Sequence, residues 1–262
     1  MLMTIAPGRS IDRLTIRGAG VVMERAKDLA RATMHIVENN GDKSGIRLHK
    51  FMDIELELGS DVLVPREETE ILGRAALGLL YGRGADARVI DMCCGSGNLG
   101  LAIAAKMPGA RVWSADLTDS TVATARRNAD RLGLADRVTI AQGDLFSAFD
   151  GMDLAGSIDL VVCNPPYISS ARLEGDRSEL LASEPREAFD GGPYGLSIHQ
   201  RLIRDAVTFL KPGGWLAFEF GVGQDRQVAA LLARARVYAP VEFVSDAAKT
   251  PRAAIVRKLD PA

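Results

Sequence analysis

Apolar residues recur with a helical period at the start of this chain, then with an alternating one, then in a long succession of the two. From Val21 to Glu38 the positions Val22, Ala26, Leu29, Ala30, Thr33, Met34 and Val37 predict a helix that Asn39-Asn40-Gly41-Asp42 stops. Residues 1–18 mix polar, Gly and Pro positions and are expected to be poorly ordered. From Asp53 the pattern alternates, with Ile54, Leu56 and Leu58 on one face. Gly59-Ser60-Asp61 then turns the chain into Val62-Leu63-Val64, which predicts a β-hairpin. Pro65 to Glu70 opens a helix reaching Leu80, its acidic first turn matched to the helix dipole.

After Gly82-Arg83-Gly84 strands and helices alternate. Strands are predicted at Val89–Met92, Arg111–Ala115, Val138–Ile140 and Ile158–Cys163, with helices at Asn98–Lys106 and Ser120–Leu132 between them. Residues 168–195 form a polar stretch too long for an ordinary connector and read as a functional loop. A helix from Leu196 to Leu210 ends at Lys211-Pro212-Gly213-Gly214, before the strand Trp215–Phe220. Another helix covers Gln224–Ala235, and strands at Val241–Val244 and Ala253–Lys258 suggest an antiparallel hairpin at a sheet edge. The expected fold is α/β: a doubly wound, mostly parallel sheet with an antiparallel C-terminal hairpin, preceded by a short N-terminal helix and β-hairpin. The predicted division is an extension over residues 1–80 and a main domain over 81–262, with no internal repeat.

Composition changes this picture little. The 262 residues are 47% hydrophobic and 25% charged, enough for a large core without disulfides or metal. The net charge of −2 supplies no global field to attract nucleic acid, which is therefore an unfavoured partner. No apolar stretch is long enough to span a bilayer and no export signal is visible, so no membrane partner and a cytoplasmic location are expected. The three cysteines, Cys93, Cys94 and Cys163, lie in or beside strand-like runs. Adjacent Cys93 and Cys94 point to opposite faces of a strand, so reduced thiols and no metal site are expected. His35 and His49 are too scattered for a metal site, and His199, within a helix, reads as a surface residue.

The candidate chemistry sits at predicted strand ends. Asp91-Met92-Cys93-Cys94-Gly95-Ser96-Gly97-Asn98-Leu99-Gly100 contains Gly-x-Gly-x-x-Gly between strand and helix, where glycines let the backbone turn and approach a ligand. Nicotinamide, flavin and S-adenosylmethionine sites all resemble it. Asp116, followed by Leu117, ends the second strand where a carboxylate can accept both ribose hydroxyls; Asp116 or Asp119 can alternatively cap the next helix. Asp144 follows the third strand. It can accept from an adenine amine while Leu145 packs on the ring, or be a plain turn residue. Asn164-Pro165-Pro166-Tyr167 follows the fourth. An amide side chain, carbonyls on rigid prolines without N–H groups, and an aromatic ring can hold a planar –NH2 group; a Pro-rich cap on the strand is the plainer alternative. This series describes a class I S-adenosylmethionine site better than a dehydrogenase site, since no His/Lys or Tyr/Lys pairing suits hydride chemistry.

On these residues the chain resembles the HemK/PrmC family, protein-(glutamine-N5) methyltransferases that modify peptide chain release factors. The resemblance runs from Asp53 to Lys258. It rests on Leu63-Val64-Pro65-Arg66-Glu67-Glu68-Thr69-Glu70, the glycine loop, Asn164 to Tyr167, Glu184 to Leu196, and Leu210 to Trp215 with Glu219 and Gln224. It implies S-adenosyl-L-methionine as cofactor and S-adenosyl-L-homocysteine as product, held by Asp91, Cys93, Gly95, Gly97, Asp116, Leu117, Asp144, Leu145 and Asn164. It implies that Asn164 and the Pro165 carbonyl accept hydrogen bonds from the substrate amide nitrogen, with Pro166 and Tyr167 beside them as the rest of the catalytic loop. Pro65, Arg66, Thr69 and Glu187 would line the substrate side. Family members carry an N-terminal helical domain, where here only residues 1–50 precede the hairpin. Cys93 and Cys94 also depart from the family's Gly-Thr type residues. The alternatives are alkyl transfer to a small amine or amide metabolite, adenine N6-methylation of nucleic acid, and a cofactor-binding module without turnover.

Overall fold

The computed structural model describes residues 14–15, 22–23, 47–59, 62–81, 86–175, 177–182 and 185–260. Residues 45–262 form one compact unit and residues 1–44 another. Within the latter, β1 (Leu14–Thr15) and β2 (Val22–Met23) pair antiparallel. Strand β2 therefore occupies the predicted start of the first helix, and the rest of that helix and most of residues 1–18 lie outside the described residues.

The β-hairpin is present, but on the other side of the expected strand. β3 (Arg47–Phe51) pairs antiparallel with β4 (Ile54–Leu58) across Met52-Asp53, and Val62–Val64 forms no strand. Met52 and Asp53 both have positive φ, 45° and 70°, the handedness that a two-residue hairpin turn needs to follow strand twist. Contacts from outside hold this turn. The Met52 N–H donates to Glu70 Oε1 at 2.8 Å and Asp53 pairs with Lys106 at 3.0 Å. Met52 is buried, and a Cβ on Gly73 would collide with its side chain.

Helix α1 (Glu67–Leu80) buries Leu72, Ala76, Leu77 and Leu80. It is followed by β5 (Arg88–Met92), α2 (Asn98–Lys106), β6 (Arg111–Asp116), α3 (Asp119–Arg131), β7 (Val138–Gln142) and β8 (Ile158–Cys163). The long loop contains the short helix α4 (Ser170–Glu174) and 3-10 turns at Ser178–Ala182 and Arg186–Ala188. Then come α5 (Ser197–Phe209), β9 (Leu210–Glu219), α6 (Asp225–Ala235), β10 (Glu242–Ser245) and β11 (Pro251–Arg257). No helix among the described residues is long and apolar enough to cross a membrane.

The seven-stranded sheet has the order β10-β11-β9-β8-β5-β6-β7. Pairs from β9 to β7 are parallel, and β11 runs antiparallel between β9 and β10. Both faces are covered. Val89, Leu160 and Val162 pack with α1, α2 and the hairpin, whereas Ile90, Val161 and Cys163 pack with α5 and α6. Such two-sided burial explains why these strands read as continuous apolar runs. Strand order reverses between β5 and β8, and in open α/β sheets ligands bind beyond the strand ends at that switch.

Candidate active site

Strand register aligns the candidate residues. Met92 pairs with Cys163 and with Ala115, Asp116 with Gln142, and Cys163 with Phe218. One residue further along, Cys93, Asn164 and Glu219 stand level at the sheet's C-terminal edge, with Asp116 and Gln142 continuing the row and Gly143 just beyond it. A cavity of about 320 Å³ opens there, lined among others by Cys93, Gly95, Asp116, Leu117, Gly143, Asp144, Leu145, Asn164, Pro166 and Glu187. That volume is at the lower end for small-molecule sites, ~300–1,000 Å³. A smaller cavity of about 40 Å³ is lined by Leu63, Arg66, Asn164, Pro165, Tyr167, Ile168, Ala188, Phe189 and Glu219. Asn164 borders both.

The glycine loop is wound by left-handed residues: Cys93, Gly95 and Gly97 have φ of 56°, 55° and 83°. A Cβ on Gly95 would meet no protein atom within 4 Å, so its backbone stays open to a ligand. Gly100 serves packing instead, since a Cβ there would lie 2.7 Å from Ser114 Oγ and 2.8 Å from Asp91 Oδ2. Asp91 is fully buried and lines neither cavity; it accepts from the Gly100 N–H at 2.8 Å. Burial, with the nearby Asp116 charge, pushes its carboxyl up to about 7 against the pull of that bond. Asp116 accepts from the Gly95 N–H (2.8 Å), the Leu117 N–H (2.8 Å) and the Thr121 hydroxyl (2.9 Å). It thus fixes the glycine loop from the neighbouring strand end. The following helix takes its cap from Thr118, which leaves Asp116 facing the cavity. Asp144 Oδ2 accepts from Arg201 at 2.8 Å. Asn128, buried in α3, donates to the Ser96 and Glu57 carbonyls at 3.0 Å and accepts from the Glu57 N–H at 2.7 Å, tying the hairpin to the glycine loop.

Around Asn164 a chain of hydrogen bonds has a defined direction. Tyr167 Oη donates to Glu219 Oε1 at 3.0 Å and Thr69 Oγ1 donates to Glu219 Oε2 at 2.8 Å. With its proton committed, the Thr69 oxygen accepts from Asn164 Nδ2 at 3.2 Å. This settles which end of the Asn164 amide is nitrogen and leaves Oδ1 as the end able to accept from a ligand. Burial raises the Glu219 carboxyl, while the bonds from Thr69 and Tyr167 lower it. Tyr167 is raised by burial and by Glu219.

The return loop clamps this segment. Ile168 bridges Asp190 in parallel, and the Gly191 N–H donates to the Ile168 carbonyl at 2.8 Å. A Cβ on Gly191 would lie 2.8 Å from the Pro166 carbonyl, and one on Gly195 (φ 70°) would clash with the Tyr167 carbonyl. Gln224 Nε2 donates to the Tyr167 and Gly195 carbonyls at 3.1 and 3.3 Å.

Some expectations need correcting. Thr69 is buried beneath Asn164, from whose Nδ2 it accepts, and lines neither cavity. Pro65 is likewise buried and outside both linings. Arg66 lines the small cavity with its guanidinium 5.9 Å from the Phe189 ring centre, whereas Glu187 lines the larger one. Arg186 is held in the loop by Glu174 and Asp190. His199 is buried, not on the surface: its Nε2 lies 3.0 Å from the Glu219 carbonyl, and burial lowers it to about 4. Glu219 and Gln224 had no role assigned from sequence. A lone carboxylate in the apolar run Trp215–Phe220 is the signal that points to Glu219.

Residues 55–192 match the methyltransferase small domain family. A release factor glutamine methyltransferase of Gloeobacter violaceus is 37% identical over 196 residues, covering 75% of this chain and 67% of that protein. One from Bradyrhizobium diazoefficiens is 33% identical over 266 residues, covering 100% of this chain and 87% of its own length. Among solved structures, a methyltransferase from Pyrococcus furiosus superposes with a TM-score of 0.56 at 16% identity, over 90% of this chain and 100% of that one, a likeness of fold.

Proposed function

Because the chain belongs to the release factor glutamine methyltransferase family, we propose that it methylates the side-chain amide nitrogen (N5) of a glutamine in a peptide chain release factor. The observation that carries this reading is the position of Asn164. It borders both cavities, and its amide is oriented by Thr69 so that Oδ1 can accept. A substrate of this kind places the enzyme's work in the cytoplasm.

The larger cavity fits S-adenosyl-L-methionine. Gly95 and the Cys93 backbone offer an open turn for its amino-acid end. Gly97, expected from sequence to touch the cofactor, lines neither cavity and has Leu101 2.8 Å from where a Cβ would stand, so it shapes the loop. Asp116 offers a carboxylate for the ribose hydroxyls, Asp144 an acceptor for the adenine amine, and Leu117 and Leu145 apolar sides for the ring. When bound, the cofactor supplies an electrophilic methyl group, leaving S-adenosyl-L-homocysteine as product.

The chain's own residues hold the acceptor. Asn164 Oδ1 and the Pro165 carbonyl accept the two N–H bonds of the glutamine amide, which turns the nitrogen lone pair towards the larger cavity. Positioning of this kind lowers barriers by up to roughly 7–11 kcal/mol. The same acceptors favour positive charge as it builds on the nitrogen. No histidine base is required, because the proton leaves after the new bond has formed. His199 is in any case sequestered against the Glu219 carbonyl.

Methyl transfer measured by mass on a release factor, beside a panel of small amines and amides, tests the proposal. One added methyl on a release-factor glutamine is expected. Transfer to a metabolite with none to the release factor would overturn it.

A further inference from the structure

We infer that Tyr194 and Val222 form the docking surface for the polypeptide that carries the acceptor glutamine; this rests on the protein-methylation reading above. Both are large apolar side chains standing in solvent, 85% and 61% exposed. Scattered exposed apolar residues are ordinary, but these two are placed by the catalytic loop. Each is the chain neighbour of a glycine pressed against Tyr167: a Cβ on Gly195 would clash with the Tyr167 carbonyl, and one on Gly221 would lie 3.1 Å from Tyr167 Cδ2. One side chain holds both loops. Gln224 Oε1 accepts from the Gly221 N–H at 2.8 Å while its Nε2 donates to the Gly195 and Tyr167 carbonyls. The exposed pair is thus presented on backbone that is already ordered, which reduces the entropy lost on binding.

The chemistry of the occupant follows from the charges around it. Gly191-Gly192-Pro193-Tyr194-Gly195 and Phe220-Gly221-Val222-Gly223-Gln224 contain no charged residue. A phosphate backbone would find no counter-charge in these loops. A neutral polypeptide segment would find an aromatic face, an aliphatic side chain and, at Gly223, backbone with open space beside it. Tyr167, which the glycines beside both residues abut, lines the small cavity that the glutamine side chain would enter.

The test is steady-state kinetics of the full chain on a release factor, with Tyr194→Ser, Val222→Ser and the double variant compared with wild type. Cofactor-product affinity is followed by calorimetry and folding by thermal melting. The KM for the release factor should rise about tenfold or more in the double variant, with kcat, S-adenosyl-L-homocysteine affinity and melting unchanged. Tyr194→Phe should retain the wild-type KM. An unchanged KM in the double variant overturns the docking surface while the methylation reading stands. A fall in kcat or cofactor affinity without a change in KM also overturns it, by making the pair structural. If wild type leaves the release factor unmethylated, the underlying reading fails and the docking surface with it.

Discussion

The Thr69 hydroxyl donates to Glu219 Oε2 at 2.8 Å, joining residues that are 150 positions apart in the chain. Thr69 lies in the first turn of α1 and Glu219 at the end of β9, so the helix preceding the sheet reaches across to the strand ends. The proton on this bond decides how Asn164 is oriented.

Thr69→Val keeps the shape and removes the hydroxyl. A buried hydrogen bond to a charged group is worth about 1.5–3 kcal/mol, so kcat should fall about tenfold to a hundredfold, with cofactor-product affinity little changed. Thr69→Ser should restore most of the rate. Equal losses in the two variants would show that the hydroxyl is not what matters.

Asp116 fixes the glycine loop through the Gly95 N–H and faces the larger cavity. Asp116→Asn should weaken S-adenosyl-L-homocysteine binding by at least about tenfold, since each lost charge-assisted bond costs about 1.5–3 kcal/mol. Calorimetry checks this, and unchanged affinity would remove Asp116 from the cofactor's contacts.

Gly195 combines a positive φ of 70° with no room for a Cβ against Tyr167. Gly195→Ala should destabilise the chain by about 1–3 kcal/mol and lower turnover, because the return loop must move away from the catalytic segment. Chemical denaturation and kcat read the two effects separately.

Two buried groups oppose each other as pH changes. Asp91 is raised from 3.8 to about 7, so its contribution to stability is present below its unfolded value and is lost as pH rises towards 7. His199 is lowered from 6.5 to about 4, so its contribution is present above its unfolded value and is lost as pH falls towards 4. Between those limits the slopes have opposite sign, each at most roughly 1.4 kcal/mol per pH unit. Asp91→Asn should therefore make stability rise more steeply with pH across this window, and His199→Gln should make it fall. Denaturant unfolding at several pH values measures both.

The parallel strands and their helices were legible because burial on both faces leaves unbroken apolar runs, as at Ile158–Cys163. The hairpin register was not, because its turn uses Met52 at positive φ, a residue type without turn preference, fixed there by Glu70 and by the gap at Gly73. The strand-end row of Cys93, Asp116 and Asn164 could be guessed from position along the chain. The Thr69–Glu219 link could not, since it depends on the Cys163–Phe218 register between β8 and β9, which periodicity alone does not set. His199 looked like a surface residue because its helix is polar at neighbouring positions, whereas its own face packs under Glu219.

The most direct test of the central claim, that Asn164 positions the acceptor amide, is methyl incorporation into release factor by Asn164→Ala, measured alongside its affinity for S-adenosyl-L-homocysteine. The expected result is loss of detectable methylation with affinity within about threefold of wild type, as a loss of positioning alone requires. Retained methylation, or loss of methylation and cofactor binding together, would contradict it.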